Sequence, residues 1–227
     1  MANDETVVRI FHELLLETNA ADRGAAVEAL QAAAKVTVWR RDQPCHSVVA
    51  GGRVGCLLAG VVRRYCIRSD GHRQILDLLV AGDFLGLVPS SAAFSVEAVS
   101  NDTRIASFRP EEIARLVDLH PVISQLLRDR LTAAVRRLED HLLVQGRITA
   151  LDKVGGYLML LRERTPQSGT NRLFLPISRY DIADHLGLAV ETVSRAMTTL
   201  RRYGVISMAS PRELEFQGPA VARDLLT

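Results

Sequence analysis

The sequence predicts an α+β protein with an N-terminal β-roll, a long helix suited to dimerisation and a C-terminal winged helix-turn-helix. Three observations lead there. Between Val36 and about Phe108, short apolar or alternating runs are separated by Gly51-Gly52, Gly60, Asp70-Gly71 and Gly82-Asp83, the pattern of many short strands joined by tight turns. From Pro121 to roughly Gln145 or Arg147 one helical period runs unbroken, and residues 178–206, SRYDIADHLGLAVETVSRAMTTLRRYGVI, hold two helical periods that meet at Gly187. The expected division is a roll with N-terminal helices over 1–120, a dimerisation helix over 121–147 and a winged helix-turn-helix domain over 148–227.

In chain order, residues 7–16 and 22–34 read as short helices, the second rich in alanine. The runs VTVW, RVGCLLAGVVRRYCI and RQILDLLV then supply strands, and Asp70-Gly71 is the clearest hairpin turn because that dipeptide tolerates positive φ. Pro110 opens a helix, PEEIARLV, with its acids at the favourable positive end. Along the long helix that follows, Ile123, Leu127, Leu131, Ala134 and Leu138 recur at four- and three-residue spacings, and Leu142 carries the stripe onward. Such a stripe either pairs with a second copy of itself or packs on its own roll. Residues 150–165 give a further apolar helix through Leu151, Val154, Leu158 and Leu161. PQSGTN at 166–171 reads as a polar turn, RLFLP at 172–176 as a strand, and VISMASPRELEF at 205–216 as a two-stranded wing.

Within the helix-turn-helix, Ser178 can cap the first helix with Asp181 three residues on, while Ile182, Ala183 and Leu186 face inward. Gly187 takes positive φ at little cost where the chain turns. The second helix buries Val193, Ala196, Met197 and Leu200 and ends at Gly204. That leaves Glu191, Thr192, Ser194, Arg195, Thr198 and Arg201 on its exposed faces, where a helix of this kind enters the major groove. Arginine can donate twice to guanine and glutamate can accept from cytosine. The alternative is a solvated hairpin on which Glu191 and Arg195, four apart, simply pair.

The string VETVSR at 190–195 inside SRYDIADHLGL resembles the DNA-binding module of the Crp/Fnr superfamily, nearest its Fnr/FixK branch. The likeness extends to HLLVQGRITALDKVGGYL at 141–158 and LAGVVRRYCIRSDGHRQILDLLVAGDFLG at 58–86. It implies a cyclic-nucleotide-binding-like roll and a homodimeric transcription regulator on palindromes of double-stranded DNA with TTGA-type half-sites. In that resemblance Glu191, Ser194 and Arg195 occupy base-contacting positions, with backbone or secondary contacts expected from Ser178, Arg179, Val190, Thr192, Thr198 and Arg201. Two-fold symmetry then places half-sites about one helical turn, roughly 34 Å, apart. The hairpin Arg68-Ser69-Asp70-Gly71-His72-Arg73 is, by analogy with activating surfaces of the superfamily, a candidate contact for RNA polymerase, with an ordinary charged turn as the alternative.

Composition agrees with this organisation. With 28 Lys+Arg against 26 Asp+Glu, no broad basic surface draws the chain to any polyanion, so local clusters such as Arg179, Arg195, Arg201 and Arg202 must do so. No run reaches the roughly 20 apolar residues of a membrane span. The start, MANDETVVRIFHELL, has acids where a secretory signal is basic, and a cytoplasmic location with no membrane partner is expected. Cys45, Cys56 and Cys66 form no CxxC pair, which suits reduced thiols, mostly in packing roles. Cys66, between Arg64 and Arg68, is the candidate redox-sensitive thiol.

No cofactor and no metal is expected. An Fnr-type cluster needs four cysteines, and the first 44 residues contain none. The stretch GDFLGLVPSSAAFSVEA lacks the arginine of a cyclic-nucleotide phosphate cassette. His46 and His72 stand apart, without the clustered histidines of a cupin-like enzyme and without GxSxG, P-loop or HExxH elsewhere. A ligand-dependent regulator, responding to cyclic nucleotide or haem, remains the alternative to a roll without an effector. The effector itself is unassigned.

Overall fold

The computed structural model describes residues 5–16, 22–88, 94–164 and 171–217. Residues 166–170 of the expected polar turn and 89–93 of the GDFLG stretch lie outside these. The chain divides into two compact units, one of residues 1–67 with 77–135 and the other of 68–76 with 136–227.

The first unit opens with α1 (Glu5–Leu16) and α2 (Arg23–Ala33). The strands follow: β1 (Lys35–Trp39), β2 (Val54–Ala59), β3 (Val61–Ile67), β4 (Arg73–Val80), β5 (Phe84–Leu85), β6 (Ser95–Ala98) and β7 (Thr103–Phe108). The long apolar run at 53–67 is therefore two strands, broken at Gly60, whose φ is +86°. One sheet has the order β1-β7-β2-β5 and the other β4-β3-β6. Within the first, β1 runs antiparallel to β7 with Thr37 opposite Ile105.

Alternation along the strands sorts the core into two layers, as side chains of period two must. Val54, Cys56 and Leu58 of β2, with Ala106 and Phe108 of β7, join Phe11, Leu15 and Leu30 of the N-terminal helices. Leu57 and Ile105 point the other way, toward Val62, Leu79, Val96 and Ala98. Helix α3 (Pro110–Leu119) contributes Leu116 to the helical side, and α4 (Pro121–Gln145) begins by adding Val122, Ile123 and Leu126.

This last feature corrects the expected dimer stripe. Ile123 is fully buried in the roll's own core, so it is not available to a second helix, and Leu127 is half-buried with one side packed against that core. Leu131 and Ala134 are half-buried, and apolar exposure starts beyond them with Val135, Leu138, Leu142 and Leu143. One period thus serves two surfaces, because a 25-residue helix of about 37 Å outruns the roll it starts on.

The second unit holds the last turns of α4, then α5 (Ala150–Arg164), β8 (Arg172–Phe174), α6 (Arg179–Leu186), α7 (Val190–Arg202), β9 (Ile206–Ser210) and β10 (Glu213–Phe216). The three strands form an antiparallel sheet in the order β8-β10-β9, a wing, with an irregularity between Glu213 and Leu214. Helix α5 buries Val154, Leu158 and Leu161 and lies against α7. At Gly156 an added Cβ would stand 3.0 Å from Arg147 Nε. Among the described residues, no helix is long and apolar enough to cross a membrane.

Candidate nucleic-acid interface

The helix-turn-helix is fixed by its ends. Ser178 Oγ accepts from the Asp181 amide at 3.1 Å, and Asp181 Oδ2 accepts from both the Ser178 amide, at 3.0 Å, and the Ser178 hydroxyl, at 2.7 Å. This is the capping box that the sequence predicts, and it commits the Ser178 hydroxyl in both directions. At the other end Gly187 sits at φ +63°, ψ +38°, and the amides of Gly187 and Leu188 both turn back to the Ala183 carbonyl. Helix α7 closes in the same way: Gly204 has φ +69°, its amide reaches the Arg201 carbonyl and the Val205 amide that of Leu200. Left-handed caps of this kind satisfy carbonyls that the last turn would otherwise leave open.

Between these ends α7 is sharply two-sided. Val193, Ala196, Met197 and Leu200 are buried, while Glu191, Arg195, Thr198 and Arg201 are exposed and Val190, Thr192 and Ser194 half-buried. Among the described residues no ion pair joins Glu191 to Arg195. Arg195 Nη2 instead approaches Thr192 Oγ1 at 3.4 Å, three residues back. The acid and the guanidinium are therefore both presented outward, one helical turn apart, which is what base reading requires.

Beside this face lies a cleft of about 260 Å³ lined by Arg179 of α6, Met197, Thr198 and Arg201 of α7, and Met208, Ser210 and Pro211 at the wing turn. Two guanidinium groups and a hydroxyl on a concave surface suit an oxyanion such as a backbone phosphate. Arg212 is half-buried, with its backbone tied to Ser210 Oγ and to the Leu175 amide.

The hairpin turn has Gly71 at φ +81°, with its amide on the Arg68 carbonyl and the Arg68 amide on that of His72. That is a type I turn followed by a glycine bulge, rather than the two-residue turn Asp70-Gly71 suggests. Arg68, Ser69, Asp70, Gly71 and His72 are exposed, with Asp70 3.7 Å from Arg68 and 3.4 Å from His72. Arg73 is different: it is paired with Asp181 and Asp184 of α6 and is withdrawn from that exposed group. Sequence reasoning missed this pairing, which spans 108 and 111 residues.

Cys45 and Cys56 are buried, one in each core layer, and burial raises both thiols, Cys45 to about 11. They are inert packing groups. Cys66 on β3 is half-buried. Among the described residues, no group of three or more His, Cys, Asp or Glu side chains is arranged to hold a metal ion.

A strand-rich roll, an outrunning helix and a winged helix-turn-helix with a two-sided second helix define a DNA-binding regulator. Residues 152–217 match the Crp-like helix-turn-helix domain. The chain is 39% identical over 158 residues to the nitrogen fixation regulation protein FixK of Bradyrhizobium diazoefficiens, an alignment covering 67% of this chain and 65% of that protein. It is 33% identical over 175 residues to the transcriptional activatory protein AadR of Rhodopseudomonas palustris, covering 76% and 70%. Its fold superimposes on the structure of FixK2 from Bradyrhizobium japonicum with a TM-score of 0.75 at 28% identity, over 86% of this chain and 98% of that one. The chain belongs to the Crp/Fnr family of transcription regulators, in its FixK branch.

Proposed function

We propose that this protein activates transcription as a homodimer bound to a palindromic DNA site with TTGA-type half-sites. The observation that carries the reading is the outward presentation of Glu191 and Arg195 on α7, with no ion pair between them among the described residues. Ser194 joins them at the base edges, while Arg179, Thr198 and Arg201, around the cleft beside the wing turn, take a phosphate. Val190 and Thr192 border these groups and supply secondary contacts, while Ser178, whose amide and hydroxyl are both bonded to Asp181, fixes the start of α6 instead of donating to DNA.

A single recognition helix reads only a few base pairs, so the site must be doubled. The apolar row Leu131, Val135, Leu138 and Leu142, spaced four, three and four, is the seam of a two-helix coiled coil. Arg68, Asp70 and His72 form the exposed charged tip available to RNA polymerase. The names of AadR and FixK support activation and regulation of this kind.

Reconstituted transcription tests the reading, using purified polymerase and a template bearing the palindrome. Activation by the protein alone, lost when the palindrome is scrambled, supports it. Equal transcription from both templates refutes it.

A further inference from the structure

The first helix of the helix-turn-helix is held at both ends by residues that lie more than a hundred positions earlier in the chain. Arg73 Nη2 donates to Asp181 Oδ1 at 2.8 Å and Arg73 Nε to Asp184 Oδ2 at 2.7 Å. The neighbouring Gln74 side chain donates to the Asp184 carbonyl at 2.8 Å and to the His185 carbonyl at 3.3 Å. Gln145, from the end of α4, donates to the same His185 carbonyl at 2.9 Å. One step further along β4, the Ile75 carbonyl meets His185 Nδ1 at 3.1 Å.

Each contact answers a specific need of α6. The carbonyls of Asp184 and His185 lie in the last turn, where an eight-residue helix has no amides of its own to offer them. Asp181 is buried and already serves the capping box, so its second oxygen needs a cation. Arg73 meets that need with a fixed fork of donors. A short helix with so many external ties takes its position from them, because eight residues alone are far below the length at which a helix stands by itself.

We propose that Arg73 and Gln74 are positioning residues for DNA binding. They seat α6 and, through the three-residue turn at Gly187, set where α7 presents Glu191 and Arg195. The residues that form the seat, at the start of β4, belong to the same compact unit as α6 although they lie far from it in sequence. This rests on the DNA-binding reading above, but the seat itself can be tested without DNA.

The experiment uses the full-length protein as wild type, Arg73→Ala, Arg73→Lys and Asp184→Asn. Hydrogen exchange of the free protein is followed in the α6 segment. Arg73→Ala is expected to speed exchange of α6 amides about tenfold, in line with the worth of charge-assisted hydrogen bonds, with partial protection restored by Arg73→Lys. Unchanged exchange in Arg73→Ala overturns the seat.

Affinity for the palindromic duplex is then measured from low to moderate salt. The expected result is about tenfold weaker binding for Arg73→Ala with the wild-type slope of log K against log salt, and no additional loss when Asp184→Asn is combined with it. A slope reduced by about one ion means that Arg73 touches phosphate directly, and overturns the positioning role. If exchange responds but the wild-type protein does not prefer the palindrome, the DNA reading fails while the seat stands.

Discussion

Glu191 and Arg195 stand one turn apart on the exposed side of α7 and do not pair; Arg195 leans toward Thr192 instead, at 3.4 Å. A Glu and an Arg four apart on a free helix gain only about 0.3–0.5 kcal/mol by pairing. Leaving them apart therefore costs the free protein little, and both groups arrive at DNA with no ion pair between them to break, only the long Arg195–Thr192 hydrogen bond.

The ends of α6 give the simplest stability prediction. Ser178→Ala removes the hydroxyl that both accepts from and donates to Asp181, and is expected to cost about 1 kcal/mol, a typical capping loss. Gly187→Ala has open space around the new methyl group but puts an L side chain at φ +63°, which costs about 1–2 kcal/mol in the left-handed region. Urea unfolding of both variants reads these differences. Wild-type stability in either case removes the corresponding account of the turn.

The two halves of α4 separate by mutation. Ile123→Ala empties a fully buried site in the roll core and is expected to lower folding stability by about 2–5 kcal/mol while leaving self-association intact. Leu142→Glu places a charge on a position 69% exposed in the single chain, and is expected to shift sedimentation from dimer to monomer with folding unchanged. A Leu142→Glu protein that still sediments as a dimer shows that the seam lies elsewhere.

These two helices also mark what sequence can and cannot supply. The capping box and both glycine caps are local, each closed within six residues, so SRYDIADHLG and TTLRRYG display them openly. The stripe of α4 is local too, but its division between roll and solvent depends on where the roll ends, which periodicity does not encode. Ile123 and Leu142 look equivalent in sequence and differ completely in burial. Val135 shares the spacing of Leu131, Leu138 and Leu142, and that register could have revealed it. The pairing of Arg73 with Asp181 and Asp184 has no local signal at all, since an isolated arginine near a hairpin reads as a solvated charge.

His185 supplies a pH prediction. Its ring is buried on α6, with centroids 4.1 Å from His141 and 4.6 Å from Tyr157. Burial, then the nearby His141 and Arg164, hold its pKa down to about 3 against the opposing bond to the Ile75 carbonyl. An unfolded histidine titrates near 6.5, so this neutral ring contributes its full stability above that pH and loses it as the pH falls through 6 toward 3. Unfolding free energy is expected to drop by about 2 kcal/mol between pH 7.5 and pH 5 from this group, and His185→Asn should remove that part of the slope. Identical pH profiles for the two proteins rule out a buried neutral imidazole.

The most direct test of the central claim is a binding titration of wild type, Glu191→Ala and Arg195→Ala against a palindrome and every single-base variant of its half-site. Each substitution is expected to weaken binding by about 1–3 kcal/mol and to abolish discrimination at one symmetry-related base pair, a different one for each residue. A loss spread evenly over all the duplexes would mean that these side chains meet only phosphate, and would contradict the reading of α7 as the helix that selects sequence.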